Sequence, residues 1–164
     1  MKELNQYIQE KLIVNNNISN YLYHPKDRDG LIECIKEKID KEELGNKDKI
    51  LDLNDINTSD IIDMSYLFDA RYGPLKKLSN NGYFDISEWD VSNVENMGYM
   101  FWKSNFNRDI SNWNLSNVKN MFNMFAWSNF NGNISNWNVS KNVNMYSMFA
   151  HCPLEKNPPK WYKR

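Results

Sequence analysis

The sequence predicts an α/β repeat fold: a short solenoid of about four 24-residue coils with a small parallel sheet, closed by a helical N-terminal cap and a Pro/Trp C-terminal cap. Three observations lead there. Trp89, Trp113 and Trp137 are 24 residues apart. Segments starting at Asp85, Asp109 and Asn133 align without a gap. Residues 1–50 and 153–164 lack the pattern, and repeat arrays need their ends covered.

Before the repeats, Leu4, Tyr7, Ile8 and Leu12 fall at helical spacing. After Pro25, Asp27 suits a helix N-cap, with Leu31, Ile32, Ile35 and Ile39 on one face. Glu37–Lys41 and Lys38–Glu42 are i,i+4 pairs for its wet side, and Gly45 is placed to stop it.

Residues 51–152 carry the repeat. Each copy opens Ile-x-x-Trp-x-Val, as in Ile86, Trp89 and Val91, which is the apolar spacing of a leucine-rich repeat. Trp and Val two apart share one face of a short strand. Val-x-x-Met-x-x-Met-Phe follows (Val94, Met97, Met100, Phe101), and suits a tight turn with one buried face. Phe106 and Phe130 close the unit. A degenerate copy precedes, Asp52 to Phe68, offset by 33 residues, with the insertion in 69–84. The third full copy has Asn142 where Val94 and Val118 stand, so either its turn is distorted or Asn142 bonds inward. The recurring Ser59, Ser92, Ser116, Ser140 and Asp63, Asn96, Asn120, Asn144 suit an internal polar ladder that satisfies turning backbone. Prolines 153, 158 and 159 forbid another strand, and Trp161 is expected to fold over the last coil.

Composition narrows the function. Net charge is −1, so no bulk attraction to nucleic acid or anionic membrane is expected. There is no run of 18 apolar residues and no apolar stretch near Met1 of the secretory kind, and two widely spaced cysteines, Cys34 and Cys152, fit a reducing compartment. Together these predict a cytoplasmic protein. His24 and His151 lack partners at motif spacing, and no phosphate-loop, dinucleotide or zinc-protease motif occurs, so neither catalysis nor a cofactor or metal is expected.

The motif Asp-Ile-Ser-x-Trp-x-Val-Ser-Asn-Val-x-x-Met-x-x-Met-Phe resembles the BspA-type leucine-rich repeat family over about residues 52–152. The resemblance implies a leucine-rich-repeat solenoid of the kind found in bacterial surface proteins and phages, with roles in adhesion and host-protein binding. Few copies and no lipobox cysteine favour instead a compact cytosolic protein binder, by analogy a phage-encoded inhibitor of a host defence protein. A surface adhesin or glycan-binding fragment is the alternative, with Trp89, Trp113 and Trp137 as a platform if exposed and as core if not.

Binding residues are sought where the repeat is not kept. The off-pattern aromatics Tyr99, Trp102, Phe122, Trp127 and Tyr146 suit interface anchors, or else gap fillers beside the turns. The insertion adds Arg71, Tyr72, Lys76 and Lys77 as a binding loop, or else a solvated connector. The expected partner is another protein. Membranes are not expected as partners, and neither small molecules nor nucleic acid are favoured; Lys76, Lys77 and the basic tail 160–164 are all that speak for the last.

Overall fold

The computed structural model describes residues 21–42 and 49–163. The helix expected around Leu4–Leu12 and the stop at Gly45 lie outside those residues. In chain order the elements are α1 (Arg28–Lys41), β1 (Leu51–Asp52), α2 (Lys76–Asn81), β2 (Phe84–Asp85) and a 3₁₀ turn (Pro153–Glu155). β1 and β2 pair in parallel, Leu51 with Phe84 and Asp52 with Asp85.

The four-coil leucine-rich-repeat solenoid predicted from the spacing is not what the chain forms. Its regular structure, among the described residues, is two helices and one two-stranded parallel sheet. The Ile-x-x-Trp-x-Val segments at Ile86, Ile110 and Ile134 run through turns, and no four-stranded sheet exists there. The cause lies in the polar residues. Asp85, Asp90, Asp109, Asn114 and Asn133 each accept, through their side chains, the backbone N–H two residues on. Such local bonds compete with strand ladders and hold the chain in turns.

What joins the 24-residue copies is a run of tight turns linked by isolated parallel bridges, Asp63 to Asn96, Asn96 to Asn120 and Asn120 to Asn144. In each run but the last, alternate N–H groups donate to the next copy. Met97, Tyr99 and Phe101 donate to the carbonyls of Asn120, Phe122 and Met124 at 2.8–2.9 Å. The N–H groups between them close turns within the copy, as Met100 does to Met97 and Trp102 to Tyr99. This pattern needs left-handed residues. Tyr66, Tyr99, Asn123 and Ser147 share one repeat position and have φ of 54–59°. Lys103, Trp127 and His151 share another, with φ of 57–61°.

One core runs through the molecule from Leu31 to Cys152. Its spine is a stack of Phe68, Phe101, Phe125 and Phe149, with successive ring centroids 5.6, 5.3 and 6.0 Å apart. Trp89, Trp113 and Trp137 are buried, each 3–4% exposed. Their indole N–H groups donate to the carbonyls of Leu53, Ile86 and Ile110, so each pins its copy to the one before. Trp161 does the same to Ile134 at 2.8 Å and stacks on Trp137. It stands 24 residues after Trp137, a continuation of the row that the prolines had masked. In the third full copy the turn is shifted: Val143 is buried and Asn142 is exposed.

α1 covers the first copy. The Asp27 carboxylate accepts the Gly30 N–H, and Leu31, Ile32 and Ile35 are buried. Arg28 Nε donates to the Ser65 carbonyl at 2.9 Å. Lys38, expected on the wet side with Glu42, is 8% exposed and paired with Asp55 instead. Lys41 does pair with Glu37. The insertion is packed in rather than solvated. Leu75, Leu78, Ser79 and Phe84 are buried, and the Ser79 carbonyl takes the N–H of Asn105. Gly82 ends α2 at φ 70°, where a Cβ would stand 2.4 Å from the Asn105 oxygen.

Candidate functional site

The tryptophan row offers no platform to a ligand, because its rings are inside and its N–H groups are bonded to backbone. The glycan platform built on Trp89, Trp113 and Trp137 is therefore excluded.

Most of the exposed aromatics stand elsewhere, Tyr66, Tyr72, Trp127 and Tyr146, with the half-buried Tyr99, Trp102 and Phe122 among them, on the face made by the left-handed turns. Two rows cross the copies. The first is Tyr66, Tyr99, Phe122 and Tyr146, with successive centroids 4.7, 5.2 and 5.7 Å apart. The second begins with Tyr72 stacked on Trp102 at 6.0 Å and ends with Trp127 stacked on His151 at 3.8 Å. Lys103 joins its two halves, with Nζ 4.9 Å from the Trp102 ring and 5.6 Å from that of Trp127. Tyr99 meets Trp102 edge-on at 6.0 Å and ties the rows together. Arg71 lies over the Tyr72 ring, 4.9 Å from its centroid.

Seven of the nine predicted site residues thus meet on one face: Arg71, Tyr72, Tyr99, Trp102, Phe122, Trp127 and Tyr146. Tyr72, Trp127 and Tyr146 are 70%, 54% and 72% exposed. Lys76 and Lys77 are not part of it. They sit on α2 and line a separate groove with Lys36, Ile39 and Asp40 of α1. Sequence reasoning missed Tyr66, although it precedes Tyr99 by the same 33 residues that separate the first two copies.

Local chemistry holds this face in place. Asp69 is buried and its Oδ1 accepts the N–H groups of Arg71 and Tyr72, which fixes the start of the insertion. Burial, then the neighbouring Tyr99 and Asp69, push the Tyr66 phenol above its usual pKa. The face combines aromatic rings with the cations of Arg71 and Lys103 held over them, the residue types of a recognition surface. Elsewhere, burial raises the pKa of both free thiols, Cys34 and Cys152, so neither is an activated thiolate. No group of three or more His, Cys, Asp or Glu side chains converges among the described residues. No helix among them is long and apolar enough to cross a membrane.

The fold and this face define a class: a small repeat-bearing protein whose repeats carry an outward aromatic surface. The model of a family described as Mycoplasma protein of unknown function, DUF285, matches residues 40–161, and the chain belongs to that family. No curated protein and no solved structure is matched significantly.

Proposed function

We propose that the chain is a non-catalytic protein-binding module of the BspA-type repeat kind, acting in the cytosol, and that its partner seats on the two aromatic rows. One observation carries this reading: rings from every copy and from the insertion stack into two connected rows, with Tyr66, Tyr72, Trp127 and Tyr146 exposed and Tyr99, Trp102 and Phe122 half-buried between them, while the core has its own separate aromatic stack. Contiguous apolar surface on a small protein marks a contact site, and Trp and Tyr dominate such sites energetically. The two free cysteines suit a reducing compartment.

The test is affinity capture with the immobilised chain, followed by titration of whatever protein is retained in stoichiometric amount. Trp127→Ala with Tyr146→Ala is expected to weaken that partner at least about thirtyfold, the scale of one interface hot spot. Undiminished affinity in the double variant overturns the reading, as does saturable glycan binding with no protein partner.

A further inference from the structure

The turn runs have a direction. Met64, Tyr66, Phe68 and Ala70 donate to the carbonyls of Asn96, Gly98, Met100 and Trp102 at 2.9–3.0 Å. Met121, Asn123, Phe125 and Trp127 donate in the same way to Asn144, Tyr146, Met148 and Ala150 at 2.8–3.1 Å. In the last run the matching donors are Met145, Ser147, Phe149 and His151. The Glu155 carboxylate takes the His151 N–H at 2.9 Å. The N–H groups of Met145, Ser147 and Phe149 have no acceptor among the described residues. Met145 and Phe149 are 9% and 1% exposed, so their side chains are packed inside while these backbone donors lack a protein partner among the described residues.

A groove of about 500 Å³ lies over these donors, lined by Val143, Met145, Ser147, Phe149 and Tyr162. Trp161, stacked on Trp137, already fills the tryptophan half of the next repeat place. The groove is the turn half of that place.

We propose that this groove is a peptide-binding site for a segment of another protein that presents backbone carbonyls at alternate residues, with apolar side chains spaced as in Val-x-x-Met-x-x-Met-Phe. Each earlier junction shows the fit, because there such a segment meets the same donors. Addition of a partner's backbone to an open hydrogen-bonding edge is a general recognition mode. A lone carboxylate satisfies one donor, as Glu155 does, and cannot span three. A second copy of this chain docking head to tail is disfavoured. The corresponding acceptors of its first run include the Ser65 carbonyl, held by Arg28, and the Asp69 carbonyl, held by Gly73. The proposal stands apart from the aromatic face, with which it shares Tyr146 alone.

The test is amide exchange on the full chain, read by NMR, with a synthetic peptide of this chain's own residues 118–128 (VKNMFNMFAWS) as probe. Expected is at least about tenfold slower exchange at Met145, Ser147 and Phe149 on saturation with one peptide, and no such slowing with a scrambled peptide. Trp127→Ala retains the effect, which separates this site from the aromatic face. Unchanged exchange at those three amides at millimolar peptide overturns the proposal. So does protection centred on Trp102 and Trp127, or protection that grows with protein concentration in the absence of peptide.

Discussion

Trp113 and Trp127 are the same residue type, 14 positions apart, in opposite roles, and this makes their replacement by Phe a sharp test of the fold. Trp113 is 3% exposed, donates its indole N–H to the Ile86 carbonyl at 3.2 Å, and stacks on Trp137 with centroids 6.4 Å apart. Trp113→Phe removes that bond, worth about 1 kcal/mol net. The Ile86 oxygen keeps the backbone N–H of Trp89, so it is not orphaned. The missing second ring removes burial and leaves a void, together about 1–2 kcal/mol. The expected loss is about 2–3 kcal/mol, or a fall in Tm of roughly 5–10 °C for a chain of this size. Trp127→Phe, at a ring 54% exposed, is expected to stay within about 0.5 kcal/mol. Urea unfolding followed by far-UV circular dichroism measures both. A Trp113→Phe loss below about 1 kcal/mol, or an equal loss from Trp127→Phe, refutes the division between core row and surface row.

Gly82→Ala forces a side chain into a left-handed residue against the Asn105 carbonyl, and a loss of about 2 kcal/mol or more is expected in the same assay. Asp55→Ala strands the nearly buried Lys38 ammonium, for an expected loss of about 2–3 kcal/mol that Lys38→Met with Asp55→Ala largely restores. Asp85 and Asp109 have depressed pKa values. Burial opposes the shift at Asp85, and hydrogen bonds from Ser87 and Asn54 with the charge of Arg108 outweigh it; the Ser111 N–H does so at Asp109. Depressed carboxyls stabilise fully above the unfolded value of about 4 and lose that contribution as pH falls through their folded values. The urea midpoint should therefore hold between about pH 7 and 5 and fall below about pH 4, less steeply in Asp85→Asn. Burial-raised thiols predict slow labelling of Cys34 and Cys152 by a disulfide reagent near neutral pH; rapid reaction of either contradicts their placement.

The core was legible because apolar period survives any choice of backbone. Ile86, Trp89, Val94, Met97 and Phe101 are buried as their spacing requires, and so are their equivalents, except that Val143 replaces the exposed Asn142 in the last full copy. The local backbone was not legible, because strand and turn place those residues inward alike. The deciding signal was in plain view: an Asp or Asn two residues before a Ser, as in Asp85 and Ser87 or Asp90 and Ser92, favours the turn. Lys38 misled for another reason. Its partner Asp55 is distant in sequence, and an i,i+4 pattern cannot report it. The aromatic rows were found from positions where the repeat changes, and the pairing across copies followed from the period.

The left-handed positions add weight to the binding reading. Glycine or asparagine would occupy such a residue with least strain, whereas other side chains cost about 1–2 kcal/mol each. Among the seven non-glycine examples in the described residues, Asn123 alone is of the favoured type. Tyr66, Tyr99 and Trp127 are bulky and stand there with φ of 57–61°. The turn runs themselves do not require rings, since Asn123 and Ser147 hold the same position as Tyr66 and Tyr99 with the same geometry. The rings therefore occupy strained residues without a folding need for them, and local rules broken in this way collect at functional sites. Replacing Trp127 by Gly is then expected to leave stability unchanged within about 1 kcal/mol while removing a central ring of the face. A stability loss well beyond that would mean that the ring serves the fold, and the face would lose its best evidence of a separate purpose.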